Sequence, residues 1–210
     1  MEIRPGRPEE YEEAGAVTAG AYAEFADPTD DDWAEYLAEL ADVAGRADRT
    51  EVYVAAEGGR VLGCVTLELD QTVGDDDKEL PPEMSCIRML GVRTEARGRG
   101  IGRALVQRCI DRTAEVGKTI VTLRTTDRMK VAQRLYRDMG FERDPDRDVV
   151  FEDGFTLIAG TSGRSSSRHR SFSTSPRRIG VTAGGSRPGT RSASQPSAWL
   201  LRPSSLAGVT

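Results

Sequence analysis

Residues 84 to 114 hold the feature that most limits what this chain can build. An apolar strand, "MSCIRMLGV", runs into glycines at 98, 100 and 102 and out into a helical stripe of Ile101, Leu105 and Cys109, widened by Val106, Ile110 and Ala114. That spacing is the 3.6-residue period of an amphipathic helix. Three alternating glycines are a poor helix start, so the backbone there must do something that side chains would prevent. A strand delivered through a bare turn into a helix belongs to an α/β layered architecture.

The remaining elements are read around this junction. "MEIRP" starts a strand, and Pro8 with "EEYEE" marks a helix N-terminus whose face carries Ala14, Val17, Ala21 and Tyr22. "DPTDDDWAEYLAELADVAG" predicts a second helix with the stripe Trp33, Tyr36, Leu37 and Leu40. "TEVYVAAEGGRVLGCVTLELD" predicts a hairpin turning at Gly58-Gly59, followed by the polar loop "QTVGDDDKELPPE". After the central helix, closed by Gly117, "KTIVTLRTT" is a buried strand and "DRMKVAQRLYRDMGF" a helix with Ala132, Leu135, Tyr136 and Met139 on one side. "GFTLIAG" supplies a last strand. The order is β-α-α-β-β-β-α-β-α-β, a mixed α/β fold (α+β mixed sheet) in one domain over residues 1–160.

Charge divides the chain near residue 160. Eight of its 29 basic residues, all arginine, fall in 161–210, which has no Asp, Glu or Lys; residues 1–160 keep 21 against all 34 acidic ones, a net of −13. The 161–210 segment is a low-complexity Ser/Arg/Gly-rich tail without apolar periodicity, and such a composition predicts disorder. Its arginines are scattered and lack aromatic interleaving, which argues against nucleic acid as a partner. No apolar run reaches the roughly 18 residues of a membrane span. The N-terminus is charged from its second residue, so no signal peptide is expected. Cys64, Cys86 and Cys109 are odd in number and set in apolar segments, which reads as reduced thiols in a cytoplasmic protein without a metal site. The lone histidine, His169, lies in the tail.

A strand, a glycine-rich turn and a helix N-terminus together make an anion site, because the first-turn amides lack helical partners and the dipole adds partial positive charge. The glycines give a phosphate clearance, and Arg97, Arg99 and Arg103 add counter-charge. The pattern GxxxxGK fails here, and GxGxxG fails because the spacing is GxGxG. The pattern R/Q-x-x-G-x-G/A is met by Arg97-Gly98-Arg99-Gly100-Ile101-Gly102.

With "IRMLGVRTEARGRGIGRALVQRCIDRTAE" in the centre and "AQRLYRDMGF" downstream, the chain resembles the GNAT superfamily of acetyl-CoA-dependent N-acetyltransferases over roughly Ile3 to Ala159. The resemblance implies acetyl transfer from acetyl-CoA, as co-substrate, to a primary amine by direct attack through a tetrahedral intermediate. It implies that Arg97 to Gly102, with Arg103 nearby, hold the pyrophosphate of coenzyme A. It implies that Leu90 to Val92 pair with pantetheine through their main chain. Tyr136 matches the family's acid, which protonates the departing thiolate, although its spacing also places it on the apolar stripe. Where many relatives carry a glutamate in the strand before the loop, this chain has Cys86, so the base falls among nearby carboxylates: Glu83, the first choice, or Glu68. The acceptor is a small-molecule or peptide amine, and Asp27, Asp30, Asp31, Asp32 with "GDDDKE" at 74–79 suggest an acidic rim favouring a cation. A homodimer is left open. The alternative reading is a CoA-binding sensor or interaction module without turnover.

Overall fold

The computed structural model describes residues 1–26, 31–70, 80–150 and 156–163, with the backbone alone for 31 and 32. The elements are β1 (Glu2–Pro5), a 3-10 turn at Pro8–Glu10, α1 (Tyr11–Ala23), α2 (Asp31–Ala41), α3 (Val43–Ala47), β2 (Glu51–Glu57), β3 (Arg60–Glu68), β4 (Met84–Val92), α4 (Ile101–Glu115), β5 (Ile120–Thr125), α5 (Lys130–Asp138), β6 (Glu142–Arg143), β7 (Val149–Val150) and β8 (Thr156–Gly163). The sheet runs β1-β2-β3-β4-β5-β8-β6, with β7 also on β8. Among the described residues β4 and β5 are the one parallel pair, so a mixed sheet is fixed by that single crossover through α4.

Each face of the sheet has its own apolar layer. On one face, Leu105, Val106 and Cys109 of α4 and Tyr136 of α5 pack on Val65, Leu67, Ile87, Val121 and Leu123. On the other, Ala14 and Val17 of α1 and Val43 of α3 meet Val52, Val54, Val61 and Cys64. Trp33, Tyr36 and Leu40 of α2 close over Met89 on that same side. Strand alternation makes this arrangement: the neighbours Val61 and Leu62 of β3 enter opposite layers, as do Cys64 and Val65.

Three details depart from the reading of the sequence. The second helix breaks at Asp42, whose carboxylate accepts the Gly45 N–H at 2.8 Å and so starts α3 afresh. Buried Arg46 then donates to the carbonyls of Glu39, Leu40 and Asp42 and, through Nε, to Thr66 Oγ1 at 3.1 Å. One guanidinium thus satisfies the end of α2 and ties it to β3. The two-residue strands β6 and β7 carry no pattern of their own and form only because β8 offers an edge. Finally, β8 continues to Gly163, where Gly163, Ser162 and Thr161 pair with Ile120, Val121 and Thr122. The compositional border at 160 therefore lies inside a strand. Residues 164–210, and with them the tail reading, lie outside the described residues.

Candidate functional site

The site begins where two strands part. β4 and β5 pair in parallel from Met84↔Ile120 to Ile87↔Leu123 and no further. Beyond that point β5 keeps its bonds to β8 through Thr125, while β4 stays on β3 through Val92. A bulge drives the parting: Cys64 faces Gly91 and Thr66 faces Arg88, so Met89 and Leu90 share the single opposing residue Val65. Met89 takes φ 53°, a left-handed backbone on a non-glycine residue, which costs about 1–3 kcal/mol. Alternation breaks there, and the consecutive Arg88 and Met89 both face the α1/α2 layer. Among the described residues no strand joins the β5-facing main chain of residues 89–92, and an extended ligand can pair with that edge as a strand would.

The glycine–arginine loop follows directly. Gly98 and Gly100 each have φ 77°, with open space where a Cβ would stand, so conformation rather than crowding within the protein selects glycine. Gly102 differs: a Cβ there would come 3.3 Å from Leu135 Cδ2, so this glycine lets α4 sit close to α5. Gly100 caps α4, and the first helical bond runs from Ala104 N–H to the Gly100 carbonyl. The amides of Ile101, Gly102 and Arg103 precede that bond and form the orphan first turn. Ile101's own side chain is core, so only its main chain is available to a ligand. The arginines are more committed than the sequence implies. Arg97 pairs with Glu24 at the end of α1, and Arg99 chelates Glu57 at 2.8 and 2.9 Å. Arg103 is exposed and has no ion pair among the described residues.

On the other side of the fork lies a small cleft open to solvent. β4 contributes Cys86, Ile87, Arg88 and Met89 to its wall, and β5 contributes Arg124 and Thr125. Tyr22 and Tyr36 cover it from α1 and α2. Gly91 brings α1 down onto the fork, for a Cβ there would lie 2.8 Å from Thr18 Cα. Cys86 is held protonated: burial, and next to it the Glu68 carboxylate on the facing strand, push its thiol up to about 12.

Tyr136 is packed against Phe141, with ring centroids 5.7 Å apart, and is 8% exposed. Burial pushes its phenol above the usual range, and Tyr22 and Cys86, both lining the cleft, act on its hydroxyl in the same direction. The ring is core while the hydroxyl senses the fork, so the two readings of this residue are compatible. The structure sets Glu83 apart from these groups. It is exposed at the start of β4, where its carbonyl accepts the N–H groups of Thr119 and Ile120, and it does not line the cleft. Glu68 is 1% exposed, opposite Cys86 in register, with Oε1 3.8 Å from Arg88 Nε. The acidic rim at Asp27 to Asp32 and at 74–79 has no described side chains.

Sequence reasoning missed Arg88 and Arg124. Each was visible as one charge inside an apolar strand, "SCIRML" and "TIVTLRTT", a position where a charge needs a reason.

The comparisons with known proteins meet this geometry. Among curated proteins no sequence matches the chain. Solved structures do. An acetyltransferase of the GNAT family from Staphylococcus aureus Mu50 superposes with a TM-score of 0.58 at 18% identity, over 77% of this chain and 98% of that one. A ribosomal-protein-alanine N-acetyltransferase from Brucella melitensis gives 0.56 at 20% identity, over 78% and 100%. The yncA protein of Salmonella typhimurium, solved with its cofactor acetyl-CoA, gives 0.55 at 20% identity, over 81% and 98%. These show the fold. Residues 16–141 match the sequence family described as acetyltransferase (GNAT), and that stretch runs from α1 to the turn after α5, enclosing the fork, the bulge and the glycine loop. The chain belongs to the GNAT family of acetyltransferases.

Proposed function

We propose that this chain transfers the acetyl group of acetyl-CoA to a primary amine, borne by a small molecule or a peptide, by direct attack. The observation that carries the reading is the fork: a strand edge that β5 leaves, a glycine loop and the first turn of α4 lie in continuous order from Met89 to Arg103. That series fits a long ligand with an amide-bearing arm and a pyrophosphate. Acetyl-CoA supplies an acyl group already activated as a thioester.

The chain's own groups divide the work. The first-turn amides of Ile101 to Arg103 and the left-handed glycines hold the pyrophosphate. The main chain of Leu90 to Val92 aligns the pantetheine arm, and an amide of this stretch supports developing charge on the thioester oxygen. Tyr136 donates its proton to the departing sulfur; its raised pKa keeps that proton in place over the physiological range. We assign the base role to Glu68 before Glu83: it stands beside Cys86 in register, behind the cleft wall, and takes the amine's proton through water. The carboxylate that many relatives place on β4 is here on the neighbouring strand.

The test is thiol release by the full chain from acetyl-CoA across an amine panel, beside thermal unfolding with CoA. Acetyl-CoA at a hundredfold excess over Kd stabilises the folded chain by about 2.7 kcal/mol. Absence of any stabilisation by either nucleotide overturns the reading.

A further inference from the structure

Side chains without charge make most of the wall of the cleft. Met89 lies on β4, Met129 caps α5, and Leu157 on β8 adjoins Ile158, which faces Thr125 at the end of β5. Tyr22 and Tyr36 cover them, with ring centroids 6.1 Å apart and planes at 79°. Trp33 packs on Tyr36 at 5.7 Å without itself lining the cleft. Tyr36, Met89, Met129 and Leu157 are each buried, so the wall is held in shape by its own packing. The ionisable groups here are settled within the protein. None of the described residues lining the cleft is a carboxylate. Arg88 and Arg124 line it, and each is already engaged with other groups of the chain, as is Glu68 behind the wall. Burial pushes the Tyr22 phenol up to about 12, although Arg88 and Arg46 act to lower it, so it stays neutral as the Cys86 thiol does.

We propose that the acceptor is a monoamine with an apolar body, one ring or a short branched chain, which Met129, Leu157 and the Tyr22–Tyr36 pair enclose while its nitrogen points at the fork. The proposal rests on the acetyl-transfer reading and names the substrate class of that same site. A second ammonium would lose its water against walls that offer no described carboxylate. A carboxylate would have to draw a guanidinium away from the groups that engage it. An apolar body meets neither cost and gains by leaving water. A ring also packs well here, because methionine sulfur favours aromatic edges and tyrosine accepts tilted ring contacts. The cleft is small, which matches a body of this size. In the transfer the nitrogen bonds to the acetyl carbon and the carbon–sulfur bond breaks. The amine's proton goes to the base, the sulfur leaves with a proton from the acid, and the products are CoA and an uncharged amide.

The acidic segments at 27–32 and 74–79 suggested an acceptor rich in positive charge, and the experiment separates the two. The full chain is assayed with acetyl-CoA against phenethylamine and isoamylamine, beside ethylamine, putrescine and glucosamine, each rate referred to the unprotonated amine. The first two are expected to show kcat/KM about 10- to 100-fold above the rest, the worth of burying one ring or branched chain. Met129→Gln keeps the length of the side chain and adds polar atoms. It should cut that lead about 3- to 10-fold and leave KM for acetyl-CoA unchanged. An undiminished lead in this variant overturns the proposal. Equal or faster turnover of ethylamine, putrescine or glucosamine also overturns it and leaves acetyl transfer standing. So does acetyl-CoA binding, seen by thermal unfolding, without turnover of either apolar amine. Failure to bind acetyl-CoA at all removes both readings. The wild-type series decides the matter even if the variant does not fold.

Discussion

The two sides of the fork are built on different plans. The side proposed for the donor, residues 88 to 103, is contiguous and made of main chain: a bulge, a strand edge, two left-handed glycines and a first helical turn. The cleft proposed for the acceptor is assembled from α1, α2, β4, β5 and β8 and made of side chains. A backbone site needs a local conformation, and glycines at fixed spacing write that need into the sequence. A side-chain site needs only that distant segments converge, and each contributes a residue that looks ordinary where it stands.

The largest effect belongs to the residue at the junction of the two plans. Tyr136→Phe removes one hydroxyl and leaves the ring on Phe141, so folding and acetyl-CoA affinity should hold while kcat falls about 10²- to 10⁴-fold, the usual worth of a positioned acid. Because burial raises the phenol's pKa, Tyr136 should not itself bring kcat down as pH rises to 10. A drop in acetyl-CoA affinity equal to the drop in kcat would mean that Tyr136 holds the fork together instead of serving the chemistry.

A smaller effect tests the main-chain plan. Gly100→Val asks a β-branched residue to adopt φ 77°, a strain of about 1–3 kcal/mol that the loop escapes by changing shape. Acetyl-CoA should bind about 10- to 100-fold more weakly, with KM for the amine unaltered. Gly102→Ala tests the other role, since its methyl meets Leu135 and not the loop; it should lower Tm more than it weakens binding. If the two substitutions act alike, the three glycines form one phosphate cradle after all.

The same distinction explains what the sequence made legible. The order of the long elements was readable because apolar spacing reports strands and helices directly, and the hairpin at Gly58-Gly59 formed as expected, with φ 59° and 80°. The break at Asp42 was not, because a capping carboxylate inside an amphipathic run looks like one more exposed acid. The strand β8 was traced short because its last residues, Thr161 to Gly163, already have the composition of the tail. We propose that the folded unit extends at least to Gly163. Cutting there should preserve Tm, whereas cutting at 160 removes three residues paired with β5 and should cost about 2–3 kcal/mol at about 1 kcal/mol for each hydrogen bond lost, read by denaturant unfolding. In the site, the glycine turn and the helix start stand where their spacing puts them, but Arg97 and Arg99, read as counter-charge, are held by carboxylates. Their partners, Glu24 and Glu57, lie 73 and 42 residues away, a separation that no local pattern encodes.

The pair Arg97–Glu24 gives the smallest effect and the finest test, for it joins the two plans. Arg97 opens the donor loop; Glu24 ends α1, the helix that brings Tyr22 to the acceptor cleft. Both side chains are near two-fifths exposed, so the pair is worth at most about 1 kcal/mol. Glu24→Gln releases Arg97 to the pyrophosphate, and acetyl-CoA should bind up to about fivefold more tightly at low ionic strength, the gain fading as salt screens it. If the donor and acceptor sites are independent, KM for the amine stays fixed while that gain appears. If instead the amine's KM moves with it, Glu24 couples them: donor binding draws Arg97 away from α1, α1 shifts over the cleft, and the order in which the two substrates bind follows from one surface ion pair.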